Sequence, residues 1–334
     1  MNGKVSVIGG GAWGTAVALL LADKGLAVSL WAYEAELCDD INLKRENTLF
    51  LPGVSLSPNI TATNNLKEGV SGASTVILAS PSHVLRGVVE RIKEHIDPQV
   101  NIVCLTKGIE LDTLKLPSQI LDDILPADIS RRSAYLSGPT FAKEVARKLP
   151  TAATIASKDE DAAHKMQHLF NTDYFRTYRH SDVLGVELGG ALKNVIAIGA
   201  GISDGMGNGH NALSSLITRG LAEMIRFGTA LGADPVTFTG LSGMGDLVLT
   251  CTGDLSRNRT VGMRLGKGET LDNIIGEMKM VAEGVKTTKS AMALSKKYDV
   301  ELPIIGTIYS ILYDGQSPKE AIRQLMRRGL KEEF

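Results

Sequence analysis

The stretch "VSVIGGGAWGTA", residues 5–16, joins a β-branched run to an alanine- and leucine-rich one through Gly9-Gly10-Gly11-Ala12-Trp13-Gly14. A GxGxxG turn that closes a strand and opens a helix has a physical logic for each glycine. Gly9 permits the tight turn, Gly11 lets a pyrophosphate approach the backbone, and Gly14 lets helix and strand pack closely. The free N–H groups and the dipole at the helix N-terminus then face the anion. Glycine-rich turns also serve purely structural ends. Here the turn sits inside a strand–helix–strand pattern, the context that makes it a dinucleotide site.

Outward from this turn, β-branched runs recur at "LAVSLWA", "STVILAS", "NIVCLT", "SAYLS" and "TAATIAS". Between them lie helix-like stretches such as "SHVLRGVVERIKEHI" and "PTFAKEVARKL". The alternation predicts βαβ units building a mostly parallel sheet. After about Ser181 it stops, and "VELGGALKNVIAIGAGI", "NALSSLITRGLAEMIRFGTALG", "SRNRTVGMRLG" and "SPKEAIRQLMRRGL" all carry helical period. The expected fold is α/β, an N-terminal Rossmann-like doubly wound sheet over residues 1–180 followed by an all-helical C-terminal domain over 181–334. No Pro/Gly/Ser-rich linker separates them, so the cleft where they pack is the expected site.

Composition excludes several function classes. The 334 residues leave room for two domains, and a formal charge of −1 gives no basic field for nucleic acid or anionic membrane. Cys38, Cys104 and Cys251 stand far apart with no CxxC pair, which fits a reducing cytosol and neither a disulfide framework nor a zinc site. The dispersed histidines form no HExxH pattern, and no metal is expected. The chain enters its first strand at once, without a signal peptide, and the apolar runs "AVALLLA" and "VIAIGAGI" are short for a bilayer. A soluble cytoplasmic protein is expected.

The choice of dinucleotide is less sharply written. The second strand ends before Tyr33-Glu34, and Glu34 lies about 20 residues beyond Gly14, where an acid holds a ribose 2′-hydroxyl. No arginine stands there to receive a 2′-phosphate. That leans towards NAD over NADP, although Lys44 and Arg45 are close enough to fold back and Glu34 also reads as the start of a solvated helix.

Two further stretches carry chemistry. In "GVELGGALKNVIAIGAG", Leu188, Leu192, Val195 and Ile196 form a core stripe, while Gly190, Lys193, Asn194 and Ala197 share the opposite side, with Glu187 one heptad before Asn194. A face of small residues with one lysine and one asparagine suits close packing against a ligand or another backbone, or a helix crossing with a snorkelling lysine. Lys193 becomes a general acid or base if its pKa falls towards ~7–8. In "GMGDLVLTCTGDLSRNRTVGMRLG", Ser256 is the expected N-cap and Gly266 the expected C-terminal glycine of a helix. Arg257 and Asn258 then occupy the first turn, where the dipole favours an anion and disfavours an arginine without one. A bound phosphate resolves that conflict. The competing reading is a surface arginine reaching back to Asp254, with Asp246 merely capping "LVLT".

"GGGAWGTA", "NTLFLPG", "ASPSHVLR", "LTKGIE", "SGPTFAKEV", "ELGGALKNVIAIGAGI", "GMGDLVLTCTGDLSRN" and "VAEGV" occur in this order along nearly the whole chain. Together they resemble the NAD(P)-dependent glycerol-3-phosphate dehydrogenases of the bacterial type. The resemblance implies reversible hydride transfer between NAD(P)H and dihydroxyacetone phosphate, giving sn-glycerol 3-phosphate for phospholipid synthesis. By matching motif, Lys193 is the proton donor to the carbonyl oxygen, Asp246 its electrostatic partner, and Lys107 a contact to both substrate and cofactor. Gly138, Thr140, Asn194, Ser256, Arg257 and Asn258 match substrate contacts, the last two on the phosphate. Ala12, Trp13, Tyr33, Glu34, Ala142, Arg257, Val281 and Glu283 match cofactor contacts. The resemblance also implies a homodimer. Two departures stand out: Tyr33-Glu34 where bacterial relatives often carry a basic residue, and "LSPNI" at Leu56–Ile60 in place of the usual "LP". Rival readings are a β-hydroxy-acid dehydrogenase, which pairs its lysine with an asparagine four residues on where this chain has Ala197, and a dinucleotide sensor, which needs neither Lys193 nor Asp246.

Overall fold

The computed structural model describes residues 3–278, 280–330 and 332–333. Its strands are β1 (Lys4–Ile8), β2 (Val28–Trp31), β3 (Glu46–Asn47), β4 (Leu51–Ser55), β5 (Ile60–Thr63), β6 (Ala73–Leu78), β7 (Asn101–Cys104), β8 (Ala134–Ser137), β9 (Thr151–Ser157) and β10 (Phe175–His180). Eight form one sheet in the order β10-β9-β8-β7-β6-β1-β2-β5, while β3 and β4 make a separate antiparallel pair. Within the large sheet only β8 and β9 run antiparallel. From β1 the chain winds out through β2 to β5, returns to β6, and winds the other way. Ligands of open α/β sheets bind at the carboxyl ends of the strands where the order reverses, here between β1 and β6. Ile8 pairs with Leu78 across that point, so Gly9 and Ala79 leave the sheet side by side.

The central strands read as near-continuous apolar runs because helices cover both faces. Val7, Ile8, Leu30, Ile77 and Val103 are fully buried. The six β-branched runs of the sequence are β1, β2, β6, β7, β8 and β9. β5 ("ITAT") and β10 ("FRTYRH") are the two edges, half exposed, so their apolar signal is diluted. The helix expected across "PTFAKEVARKL" is a short one, Ala142–Ala146, closed before Lys148 at φ 60°.

Beyond His180 the described residues form helices joined by turns, with no strand among them. At the centre lies the 23-residue helix Val183–Gly205. The small-residue side of this helix is packed as closely as its composition implies: Gly190, Lys193, Asn194 and Ala197 are as buried as the apolar stripe. A helix buried on every side is what the middle of a domain requires. Among the described residues it alone is long and apolar enough to cross a membrane, and 89% of its most apolar window lies inside the protein. Its apolar runs look short in the sequence because Lys193 and Asn194 interrupt them.

Helix Arg257–Gly266 crosses this core helix with backbones in contact. A Cβ at Gly201 would lie 2.0 Å from the Arg259 carbonyl oxygen, and one at Gly262 would lie 1.9 Å from that of Ile198. Side chains at the contact set how near two helices come, and glycines remove that spacing. Gly266, expected to terminate the helix, is held inside it by the same crossing, where a Cβ would lie 2.4 Å from the Ile202 carbonyl oxygen. Lys267 caps the helix instead, followed by Gly268 at φ 96°.

Candidate active site

A cavity of about 1000 Å³ lies between the carboxyl edge of the sheet and the helical half. The strand-end turns after β1, β2, β6 and β7 form one wall, and Lys193, Asn194 and the start of helix Arg257–Gly266 form the other. Gly9, Gly11, Ala12, Trp13, Gly14, Tyr33, Glu34, Lys107, Thr140, Ala142, Ser256, Arg257, Asn258, Val281 and Glu283 all line it. Gly138 and Asp246 stand behind the wall, each bonded to the Lys107 ammonium.

The glycine turn has the form its spacing implies. Gly9 sits at φ 131°, and a Cβ there would meet the Ala79 carbonyl carbon at 2.7 Å; at Gly14 it would meet the Gly9 oxygen at 1.9 Å. These two glycines serve the fold. A Cβ on Gly11 meets nothing within 4 Å, so this position borders open cleft. Helix Ala12–Asp23 starts there with no side-chain cap, leaving its first N–H groups for a ligand. The buried indole N–H of Trp13 is also without a partner. Uncapped donors around a cradle that a side chain would fill suit a pyrophosphate.

The chemical centre is one carboxylate between two ammonium groups. Lys107 follows β7 and Asp246 opens helix Asp246–Thr252, directly after a π-helical turn at Leu241–Gly245. Asp246 Oδ2 accepts from Lys107 Nζ at 2.6 Å, and Oδ1 lies 3.1 Å from Lys193 Nζ. Gly190 makes this possible: without a side chain it leaves the core helix open to the Lys107 methylenes, 3.4 Å from its Cβ position. Burial pushes the Asp246 carboxyl up, but the two lysines outweigh it and hold the group below the ordinary carboxylate range. Burial pulls Lys193 down to about 8, opposed by Asp246 and aided by the charge of Lys107. Lys193 thus exchanges a proton near neutrality. Asp246 pairs with lysines rather than capping its helix, whose N-cap is Gly245.

The stretch behind Ser256 also resolves. Ser256 Oγ accepts from the Arg259 N–H at 3.2 Å, which places Arg257 and Asn258 in the first helical turn. Arg259, not Arg257, reaches back to Asp254, at 2.9 Å, and also pairs with Asp204. Among the described residues Arg257 has no ion pair within 4 Å. Its side chain keeps solvent contact on the cleft wall, while burial of the guanidinium draws its pKa below the ordinary value, with Glu283 opposing. Asn258 is buried, donating to Asn194 Oδ1 at 2.9 Å and accepting from Gly284 N–H at 2.9 Å. One Nδ2 hydrogen is left for a ligand. Glu283 accepts from the Ser82 N–H at 3.1 Å and Oγ at 2.5 Å, tying helix Glu283–Tyr298 to the turn after β6.

Sequence reasoning missed Thr250, whose Oγ1 accepts from Lys193 Nζ at 2.8 Å while donating to the Asp246 carbonyl at 2.6 Å. A threonine in "VLTCT" carries no motif signal. It also missed Phe50, Arg91 and Lys143 in the cavity wall. Glu187 does not face the cleft: its carboxylate accepts from Ser118 N–H and Oγ at 2.8 and 2.5 Å, and burial pushes it up to about 8. The "LSPNI" segment forms the turn into β5, with Ile60 N–H bonded to the Ser57 carbonyl at 3.1 Å, and none of it lines the cavity.

Sequence comparison places this geometry among known enzymes. The profile of the NAD-dependent glycerol-3-phosphate dehydrogenase N-terminus matches residues 4–163, and that of the C-terminus matches residues 182–323. The chain belongs to this family. It is 56% identical over 333 residues to glycerol-3-phosphate dehydrogenase [NAD(P)+] of Citrifermentans bemidjiense, covering 100% of this chain and 99% of that protein. Its identity to the Geobacter metallireducens protein of the same name is 54%, with the same coverage. The crystal structure of glycerol-3-phosphate dehydrogenase from Coxiella burnetii superposes with a TM-score of 0.93 at 36% identity, covering 98% of this chain and 99% of that one.

Proposed function

We propose that this member of the family reversibly reduces dihydroxyacetone phosphate to sn-glycerol 3-phosphate with NADH or NADPH, supplying glycerophospholipid synthesis. One observation carries the reading: Lys193, held by buried Asp246, and the unpaired Arg257 open onto the same cavity as the uncapped glycine turn. Residues 1–180 hold the dinucleotide, through Gly9–Gly14, Tyr33, Glu34 and Ala142, with Val281 and Glu283 of the helical half completing its site. Residues 181–334 supply the acid–base lysine and the phosphate clamp.

The reduced nicotinamide supplies the hydride. Arg257, Asn258 and Ser256 hold the substrate phosphate at a helix N-terminus, which fixes the carbonyl relative to Lys193. The Lys193 ammonium gives its proton to the carbonyl oxygen as negative charge develops there, and takes it back in oxidation. Lys107 adds a second positive charge beside that oxygen, and Asp246 keeps both lysines oriented. Acid–base assistance of this kind contributes about 10²–10⁴-fold, with positioning and electrostatics supplying the rest. The phosphate dianion, once bound, favours the protonated lysine, so substrate binding primes the acid.

The test follows absorbance of reduced nicotinamide with dihydroxyacetone phosphate, using NADH and NADPH in parallel, for wild type and Lys193→Ala. Turnover that requires both the phosphate and Lys193 is the expected result. A protein that binds dinucleotide yet turns nothing over refutes the substrate assignment. A cytoplasmic homodimer belongs to the same proposal, and light scattering of the purified protein checks the dimer.

A further inference from the structure

The turn after β2 offers no cation for the 2′-phosphate of NADP, and the two basic residues nearest in sequence are engaged elsewhere. Lys44 pairs with Asp40 at 2.7 Å, one helical turn back. The Arg45 guanidinium donates to the Ile60 carbonyl at 2.8 Å. Across the cleft the arrangement differs. Val84, Gly87, Val88 and Arg91, spaced i, i+3, i+4 and i+7, all line the cavity from helix Leu85–Ile92 and the residue that caps it. One helix face thus presents two valines, a glycine with open space where a Cβ would stand, and then an arginine. Trp31, Tyr33 and Glu34 line the same end of the cavity at the tip of β2.

This is a slot with an apolar floor and one cation at its mouth. Arg91 has no side-chain hydrogen bond and no ion pair within 4 Å among the described residues, although Glu90 shares its helix and Glu94 lies just beyond its end. It also lines a shallow hollow with Lys67 and His95, at the turn where Trp31 Nε1 donates to the Asn64 carbonyl at 3.0 Å. Lys67 and His95 border only that hollow. Of the other cavity cations without an ion pair among the described residues, Arg257 opens helix Arg257–Gly266 on the opposite wall, and Lys143 lies in the short helix Ala142–Ala146 beyond β8, neither at the tip of β2. Arg91 is therefore the cation that borders both the adenosine end and solvent, where a phosphate on the ribose edge would emerge.

We propose that Arg91 is the residue of this chain that receives the 2′-phosphate of NADP(H), opposite Glu34, which accepts from the 2′-hydroxyl of NAD(H). One cleft then serves both dinucleotides, using different residues for each. The inference rests on the dinucleotide reading of the cleft. Guanidinium–phosphate bonds are charge-assisted and bidentate, and a lysine in that place keeps the charge but loses the fork.

Binding, not turnover, provides the test. Isothermal titration of the purified protein with adenosine 2′,5′-bisphosphate and with 5′-AMP gives the preference for the extra phosphate, and fluorescence titration with NADPH and NADH repeats it on whole cofactors. Arg91→Met is expected to lower the bisphosphate-to-AMP preference about tenfold, with Arg91→Lys intermediate. Arg91 is exposed and unpaired, so neither change disturbs folding. An unchanged preference overturns the inference. So does equal weakening of both ligands, which would assign Arg91 to the adenine face. A wild-type protein that binds neither nucleotide overturns the dinucleotide reading itself, and this inference with it.

Discussion

Asp246→Asn removes one charge from the centre while keeping its volume, and its effect is calculable from the geometry. In the wild type, kcat/KM for ketone reduction reports the free enzyme and requires Lys193 protonated, so it falls as pH rises through about 8. At the 3.1 Å separation from Asp246 Oδ1, Coulomb's law with an effective dielectric of ~20 gives about 5 kcal/mol. Half of that carboxylate charge faces Lys107 through Oδ2, leaving about 2–3 kcal/mol, or about two pKa units at 1.36 kcal/mol each. The basic limb is therefore expected to move from about 8 to about 6. At pH ~7.5 the protonated fraction drops from roughly three quarters to roughly 3%, an about 25-fold loss that is largely recovered by pH ~5.5. The assay is kcat/KM for dihydroxyacetone phosphate at half-unit steps between those limits, with circular dichroism to confirm folding. A loss of constant size across the range, or a limb still near the wild-type value, refutes the claim that Asp246 sets the acidity of Lys193.

Three other outcomes follow from particular contacts. Arg257→Met is expected to lower kcat/KM by about 10–150-fold, the worth of a charged hydrogen bond at ~1.5–3 kcal/mol, with a smaller loss of NADH affinity; equal loss in both refutes a phosphate role. Gly11→Val fills open cleft, so dinucleotide affinity should collapse while stability stays within about 1 kcal/mol, whereas Gly14→Ala drives a Cβ into the Gly9 carbonyl and should cost about 1–3 kcal/mol of stability. Glu187 is raised to about 8 from an ordinary 4.5, so the native state holds a proton that the unfolded chain releases between those values. Stability therefore falls as pH rises across that window, and urea unfolding of Glu187→Gln should show a shallower decline, with Glu223, raised to about 7, supplying part of what is left. A slope identical to wild type would remove Glu187 from that account.

Much of the site is legible from local pattern because local rules hold there. The GxGxxG spacing is a backbone constraint: Gly14 obeys it against the Gly9 carbonyl of the same turn, whereas the space denied to a Cβ at Gly9 is filled by Ala79, after β6. Ser256 caps its helix because a short hydroxyl in extended backbone reaches the N–H of Arg259 wherever that sequence occurs. Gly266 reads as a helix terminator on the same logic and is not one, because a second helix presses on it from 64 residues upstream, at Ile202. β5 and β10 escape notice because edge strands bury too little to mark themselves.

The sequence by itself determined the fold class, the two textures of the chain and the dinucleotide turn. These follow from periodicity and turn chemistry, which act over a few residues. Only the tertiary structure decided what those residues do to one another. Lys107 and Asp246 are 139 positions apart, yet lie 2.6 Å apart in the fold. The depressed pKa of Lys193 exists because packing removes water around it and brings the Lys107 charge near, while Asp246, folded to its side, keeps it from falling further. Arg91 has meaning only because β2 and helix Leu85–Ile92 end at the same cleft. Charge interactions fall with distance in space and are blind to distance along the chain.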